Sequence, residues 1–495
     1  MYLMPITCFF PIVCALILFL IKEKVMSRKS VFVYSGVVLG ITLILVMLAV
    51  FGAGGEPVNL LNLNDVIVIS FKMDYTGKLF AIIMALVWTA AGFFSFEYMK
   101  HEENIKRYFG FYLMVLGILM GLCFSGNLVT YYAFYEFMTL ASFALVLHNG
   151  TREAIMAGLK YLFYSFAGAY MVLFGIYFVS QYSVDPAMTF AEGGIIDTTL
   201  AISKGALSLA GTSAGGGVLS ISLLFMIIGF SVKAGMFPMQ GWLPTAHPVA
   251  PAPASAVLSG IIVKAGVLGI IRVVFYIFGS SLFSGSYVQT VVIILALITV
   301  FMGSMLAFRE PVLKKRLAYS TVSQVSYILF GIFMINDTAM KGSMIHVIAH
   351  AAIKSTLFLC AGAIIYITGK TRVEQLRGIG RKMPVMLWCY TIVSLGLIGI
   401  PPFGGFTSKW YLCIGALETQ MPVFAWLGPV ILLVSALLTA GYLLPITING
   451  FLPGKDFKDE ECPGNEPKLI MLIPIIILTA VSVVIGLFPE VLTWV

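Results

Sequence analysis

Two histidines and a lysine lie four residues apart in the run SMIHVIAHAAIKSTLFL: His346, His350 and Lys354. The i, i+4, i+8 spacing puts all three on one face of a helix. Four more ionisable groups sit in equally apolar surroundings. They are Glu136 in YYAFYEFMTLASF, Lys233 in FSVKAGMF, Lys264 in SGIIVKAGVLGII and Lys409 in GFTSKWYL. A charge held at bilayer depth costs a few kcal/mol or more, so each of these residues needs a reason. Imidazoles and amines that exchange protons would form a relay, with trapped water along the polar stripe. Two histidines at i, i+4 could also bind zinc. No acidic or cysteine ligand lies nearby in sequence and HExxH is absent, so neither a metal nor any other cofactor is expected in this chain.

Charge balance separates a relay from a set of ion pairs. Pairing needs near-equal numbers of each sign, yet four lysines (233, 264, 354 and 409) face one deep acid, Glu136. Burial favours a neutral amine and a neighbouring carboxylate favours the ammonium. A buried lysine short of carboxylates therefore exchanges its proton readily. By helical rise, Glu136 and Lys233 both fall in the middle third of the bilayer, where an ion pair between them is feasible. Pulling Glu136 away would release the Lys233 proton, with Lys264 on the next helix as recipient. Arg272, eight residues beyond Lys264, reads as a snorkelling or structurally paired cation.

Such residues need a membrane scaffold to hold them. Of 495 residues, 60% are hydrophobic and 11% charged, against roughly 25% charged in soluble domains. The composition excludes a soluble protein, and the net charge of +8 does not point to nucleic acid. The seven cysteines (8, 14, 123, 360, 389, 413 and 462) form no CxxC and read as small buried hydrophobes. The first apolar run, Pro5 to Ile21, has no basic residue before it and reads as a retained helix.

Apolar runs of about 20 residues mark candidate spans. Fourteen fall near 4–21, 31–51, 79–96, 108–125, 128–147, 155–179, 218–243, 252–278, 287–308, 317–335, 343–367, 384–417, 424–450 and 469–488. The twelfth is too long for one straight span, and GIPPFGGF at 399–406 should break it. Pro238, five residues after Lys233, should interrupt the seventh. Alternate loops carry 21 Lys and Arg and the others only 4, which puts both termini on the outer side. Lys24, Lys314, Arg316 and Lys458 are counted among those loop residues. GKT at 369–371 has Ile364 where a P-loop needs its first glycine, and GTSAGGG at 211–217 reads as a flexible loop. Any driving force must come from an ion gradient or a partner.

The stretch SVKAGMFPMQGWLPTAHPVAPAPASAVLSGIIVKAGVLGIIR (231–272) resembles the signature region of the antiporter-like membrane subunits. That family is shared by respiratory complex I, Mrp-type multisubunit cation/proton antiporters and membrane-bound energy-converting hydrogenases. YEFMTLASFALV, HVIAHAAIKSTLFL and GIPPFGGFTSKWYL are similar to it too, and the likeness covers about residues 70–450. The resemblance implies an all-α polytopic protein of fourteen spans with two inverted five-helix repeats and broken helices 7 and 12. Its divisions would be 1–107, 108–278 (first repeat), 287–450 (second repeat) and 469–495. It implies Glu136 and Lys233 as a modulating pair, Lys264 as central relay, His346, His350 and Lys354 as connector, and Lys409 as terminal proton donor or acceptor. Some members have glutamate at that last position. The family's long lateral C-terminal helix is absent, which disfavours the distal complex I subunit and its longer Mrp counterpart. TAHPVAPAPASAVLSG leans toward hydrogenase-type or Mrp D-type members.

The expected function is therefore proton translocation in a prokaryotic cell membrane, with Na⁺ coupling open. Its partners would be other membrane subunits, homologous antiporter-like subunits among them, and the lipid bilayer. Two other readings stand beside it: a stand-alone secondary transporter for a small solute, and a structural scaffold whose charges only join helices.

Overall fold

The computed structural model describes residues 2–22, 26–52, 56–210, 213–455, 457 and 464–490. Lys24, Lys458 and Cys462 lie outside the described residues. The elements that matter here are α1 (Leu3–Leu20), α2 (Arg28–Gly52), α3 (Tyr75–Tyr98), α4 (Ile105–Cys123), α5 (Leu128–Val146) and α6 (Arg152–Tyr182). They continue as α7 (Val218–Ala234), α8 (Leu243–Val249), α9 (Ala252–Ile277), α10 (Tyr287–Arg309), α11 (Leu313–Phe333) and α12 (Asp337–Thr368). The chain ends through α13 (Pro384–Ile398), α14 (Gly404–Leu417), α15 (Pro422–Phe451) and α16 (Leu469–Leu487).

Among the described residues, eleven helices are long and apolar enough to cross a membrane: α1–α6, α9, α10, α12, α15 and α16. The protein is thus a multi-pass membrane protein. In α11, Lys314, Lys315 and Arg316 open the helix and a hydroxyl-rich run from Ser320 to Tyr327 follows. α7 and α13 are shorter apolar helices. Polar caps fix several helix starts, as side-chain oxygens take amide protons that the first turn leaves free. Asn127 accepts from Thr130 N at 2.8 Å, Thr151 from Ala154 N at 3.2 Å and Asn336 from Ala339 N at 2.8 Å.

Burial is graded. α9 is wholly enclosed by other helices and α12 almost so, whereas α1, α2, α6 and α15 leave most of their surface to the surroundings. The helices carrying Lys264, His346, His350 and Lys354 therefore form the centre of the bundle. α6 lies along α7, α10 along α11, and α12 along α14.

Two short hairpins were not foreseen by apolar periodicity. Val58–Asn62 pairs antiparallel with Val68–Phe71, and Ser208–Ala210 with Ser213–Gly216. The second corrects the loop reading of 211–217 over Ser213–Gly216, whose backbone groups pair across the ladder, while 211 and 212 lie outside the described residues. α11 also starts four residues earlier than expected. Lys314 and Arg316, counted as loop residues, lie inside the helix with at most 9% exposure. The Lys314 amine is drawn inward by the carbonyls that end α8, donating to Pro248 O at 3.1 Å and Ala250 O at 2.5 Å.

Candidate functional site

α7 stops because Gly235 takes the left-handed conformation, with φ +76°, and Pro238 follows. A Cβ at Gly235 would lie 2.2 Å from Leu243 Cδ1, so the break is also tightly packed. Lys233 occupies the last turn of α7 and is fully buried. Its amine donates to Tyr161 Oη at 2.5 Å and Ser165 Oγ at 2.9 Å, and sits 3.9 Å from the Tyr161 ring centroid. Tyr161 Oη in turn contacts Ser142 Oγ of α5 at 2.6 Å.

The direct ion pair between Glu136 and Lys233 is not formed in this structure. Glu136 Oε1 is buried and has no hydrogen-bond partner among the described residues. The reason is positional: α6 packs against both α5 and α7, and its hydroxyls reach the amine first. Sequence reasoning missed Tyr161 and Ser165. Their signal was a hydroxyl pair at i, i+4, on the face of α6 that is buried.

Lys264 lies mid-way along α9 and is 1% exposed. Wide π-helical turns, Leu258–Ile262 and Arg272–Ile277, stand on either side of the α-helical segment that carries it. Such turns recur at functional sites, and no periodicity signal announced them. Gly266, half a turn on, lets α9 touch α7. A Cβ there would lie 2.4 Å from Phe230 O, 2.6 Å from Ala234 N and 3.1 Å from Lys233 Cβ. The two lysine-bearing helices are therefore in backbone contact beside the lysines.

From Lys264 a line of polar groups crosses the bundle. Its amine contacts Nδ1 of His350 on α12. The His350 and His346 rings are 5.9 Å apart between centroids. His346 Nδ1 is 2.8 Å from Ser408 Oγ on α14, and its ring stacks on Tyr327 of α11 at 5.7 Å. The next residue is Lys409, whose amine lies 5.0 Å from the same Tyr327 ring. It donates to Leu397 O at 2.6 Å and Ile398 O at 3.0 Å. Those carbonyls are free because α13 ends at Gly399, φ +97°, ahead of Pro401 and Pro402. Lys409 thus binds across the break from its far side.

Lys354 shares the helix face of the two histidines but is not hydrogen-bonded to them. Its amine donates to Leu317 O of α11 at 3.1 Å. Arg272 is a structural cation: fully buried, it forms a two-pronged pair with Asp74 and lies over the Phe190 and Tyr276 rings at 4.8 and 4.9 Å. Asp74 also caps α3 through Gly77 N at 2.7 Å. Glu97, 2% exposed, takes Lys100 at 2.6 Å and Lys468 at 2.7 Å, tying α3 to the start of α16.

Chemically, Lys264, His350, His346, Ser408 and Lys409 join α9, α12 and α14 through groups that each give or take a proton or a hydrogen bond. Lys233 stands at the near end behind Gly266.

Residues 125–439 match the family described as NADH:quinone oxidoreductase/Mrp antiporter, TM. NADH-quinone oxidoreductase subunit N of Desulforudis audaxviator is 31% identical over 423 residues, covering 83% of this chain and 80% of that protein. An Na(+)/H(+) antiporter subunit of Alkalihalophilus pseudofirmus is 28% identical over 424 residues, covering 85% of this chain and 81% of that protein. A chain in the structure of the Mrp complex from Dietzia sp. DQ12-45-1b superposes with TM-score 0.82 at 21% identity, covering 99% of this chain and 96% of that one, a likeness of fold. With a family match over more than half its length, across the segments that carry Glu136, Lys233, Lys264, His350 and Lys409, this chain belongs to the NADH:quinone oxidoreductase/Mrp antiporter transmembrane family.

Proposed function

We propose that this chain is a proton-translocating, antiporter-like subunit of a multisubunit membrane complex. The observation that carries the reading is the buried line Lys264–His350–His346–Ser408, with Lys409 beside it, running across the bundle at mid-helix depth. A scaffold does not need a row of ionisable groups with so few counter-charges, because apolar residues of similar volume serve as well or better. In the relay, Lys233 and Glu136 set the charge at one end and Lys264 receives the proton. His350 and His346 pass it on, and Lys409 exchanges it at the break before α14. Lys354 biases the line electrostatically from the same helix face.

We assign the chain fourteen spans, with α7–α8, α11 and α13–α14 completing the eleven long apolar helices. The two breaks, each a left-handed glycine followed by proline, support an inverted-repeat relation between 108–278 and 287–450. The basic-residue bias supports outer-side termini in a prokaryotic cell membrane. Other membrane subunits, including homologous antiporter-like ones, would supply the driving reaction or complete the ion path, and this chain contributes no redox centre.

The test is proton pumping or cation/proton exchange by the whole complex in sealed vesicles. Lys233→Ala and Lys264→Ala should assemble and lose transport. Assembled variants that transport at the normal rate overturn the proposal.

A further inference from the structure

Four buried polar atoms beside this line have no protein partner among the described residues: Oε1 and Nε2 of Gln324, Nε2 of His346 and Nε2 of His350. All three side chains are at most 1% exposed.

Gln324 lies on α11, and two bonds fix the register of α11 against α12. Lys354 donates to Leu317 O and Ser343 to Ile328 O, both at 3.1 Å. Leu317 to Ile328 and Lys354 back to Ser343 are equal steps of eleven residues, so the pairing is antiparallel and regular. Gln324 therefore falls opposite Val347, between the levels of His346 and His350. Leu317, Thr321, Gln324 and Ile328 share one helix face by their spacing, and Thr321 on that face is 2.5 Å from Ser259 of α9. Gln324 thus lies on the face of α11 that meets α9 and α12, near the level of the Lys264–His350 contact.

The hydrogen bonds assign the protons. Ser408 Oγ donates to Gly405 O at 3.0 Å, so it accepts from His346 Nδ1–H and leaves His346 Nε2 as a bare acceptor. A protonated Lys264 amine has no lone pair and can only donate, so in that state His350 Nδ1 accepts and its Nε2–H is left as a donor. One donor, one acceptor and a carboxamide offering both are the partners a buried water needs. Buried polar groups in native proteins are satisfied by protein or by ordered water.

We infer that ordered water held by the Gln324 carboxamide bridges His350 Nε2–H to His346 Nε2, making Gln324 a positioning residue of the proton path. The inference rests on the relay reading above. The step balances. An ammonium proton of Lys264 passes to His350 Nδ1, the Nε2 proton of His350 passes to the water, and the water gives one of its protons to His346 Nε2. Lys264 ends neutral, His350 ends neutral with its proton on Nδ1, and His346 ends as imidazolium.

The experiment uses the whole complex in sealed vesicles and reads initial proton-transport rates, with thermal unfolding of the purified complex beside them. The variants are Gln324→Leu, Gln324→His and Lys264→Met, with Gln324→Met in place of the leucine if that variant does not assemble. Water held by Gln324 predicts that Gln324→Leu assembles but transports at least about tenfold slower, with no gain in melting temperature. Gln324→His, which still binds water, should keep most of the rate. A normal rate and a raised melting temperature for Gln324→Leu, while Lys264→Met abolishes transport, overturn the water bridge and leave the relay standing. Equal losses for the leucine and histidine variants also overturn it, as a packing effect. Normal transport by Lys264→Met removes the relay reading itself, and this inference with it.

Discussion

The crossing of α7 and α9 at Gly266 is a backbone contact between the Lys233 and Lys264 helices, and Gly266→Ala probes it with one methyl group. The new Cβ would lie 2.4 Å from the Phe230 carbonyl oxygen and 2.6 Å from the Ala234 amide nitrogen. Both are backbone atoms of a neighbouring helix and neither can rotate away. Ordinary contact is ~3.5–4.0 Å, so the helices must part locally by about 1 Å. Overpacking of this kind costs about 1–3 kcal/mol, offset by the ~1 kcal/mol that alanine gains over glycine in a helix. The net loss of stability is about 0–2 kcal/mol. Function should suffer more, because the methyl presses on Lys233 Cβ from 3.1 Å and disturbs the seat of its amine on Tyr161 and Ser165. An added barrier of about 1.4 kcal/mol slows the transfer tenfold. The expected outcome is an assembled complex whose proton transport in vesicles falls about tenfold while its melting temperature drops by only a few degrees. Gly40→Ala on α2, with no atom within 4 Å of the added Cβ, is the control and should leave both unchanged or slightly raise stability. The reasoning is refuted if Gly266→Ala transports normally, or if its loss of transport only tracks a loss of assembled complex.

Tyr161→Phe removes one of the two hydroxyls that hold the Lys233 amine. It should weaken stability by about 1–3 kcal/mol and slow transport, with Ser165→Ala additive only in part; single- and double-variant unfolding and vesicle assays check this. Asp74→Asn strands the buried Arg272 guanidinium. Breaking such a pair costs about 3–5 kcal/mol, toward the lower end here because Asp74 keeps 22% exposure. Adding Arg272→Met should recover much of the loss, and a double variant as unstable as Asp74→Asn alone would contradict the assignment. His148, in the turn after α5, is 3% exposed. Burial, and then the Arg107 guanidinium, push its imidazole down to about 4 from an ordinary 6.5. The unfolded chain then binds the extra proton below pH 6.5, so the contribution is complete above that pH. It is lost as pH falls from about 6.5 to about 4, roughly 3 kcal/mol in all. His148→Gln should flatten the acid limb of the melting temperature against pH, and an unchanged limb would count against it.

Much of the membrane scaffold was legible in the chain because bilayer thickness imposes a length on each apolar run. The loss of helix at Gly235–Pro238 and Gly399–Pro402 was legible because proline cannot donate to the ladder. Glu136, Lys233, Lys264, His346, His350, Lys354 and Lys409 stood out for the same reason: ionisable groups are rare where water is excluded. What the sequence could not say is who meets whom. Contacts such as Lys264 with His350, or His346 with Ser408, span 86 and 62 residues and depend on how helices cross, which no local periodicity encodes. The same holds for the tyrosine and serine that take the place of Glu136 at Lys233, and for the seating of Lys354 on Leu317 O. Residue type determined that protons would be handled inside the membrane. Only tertiary packing, through close glycine crossings and helix register, decided which of the buried groups touch.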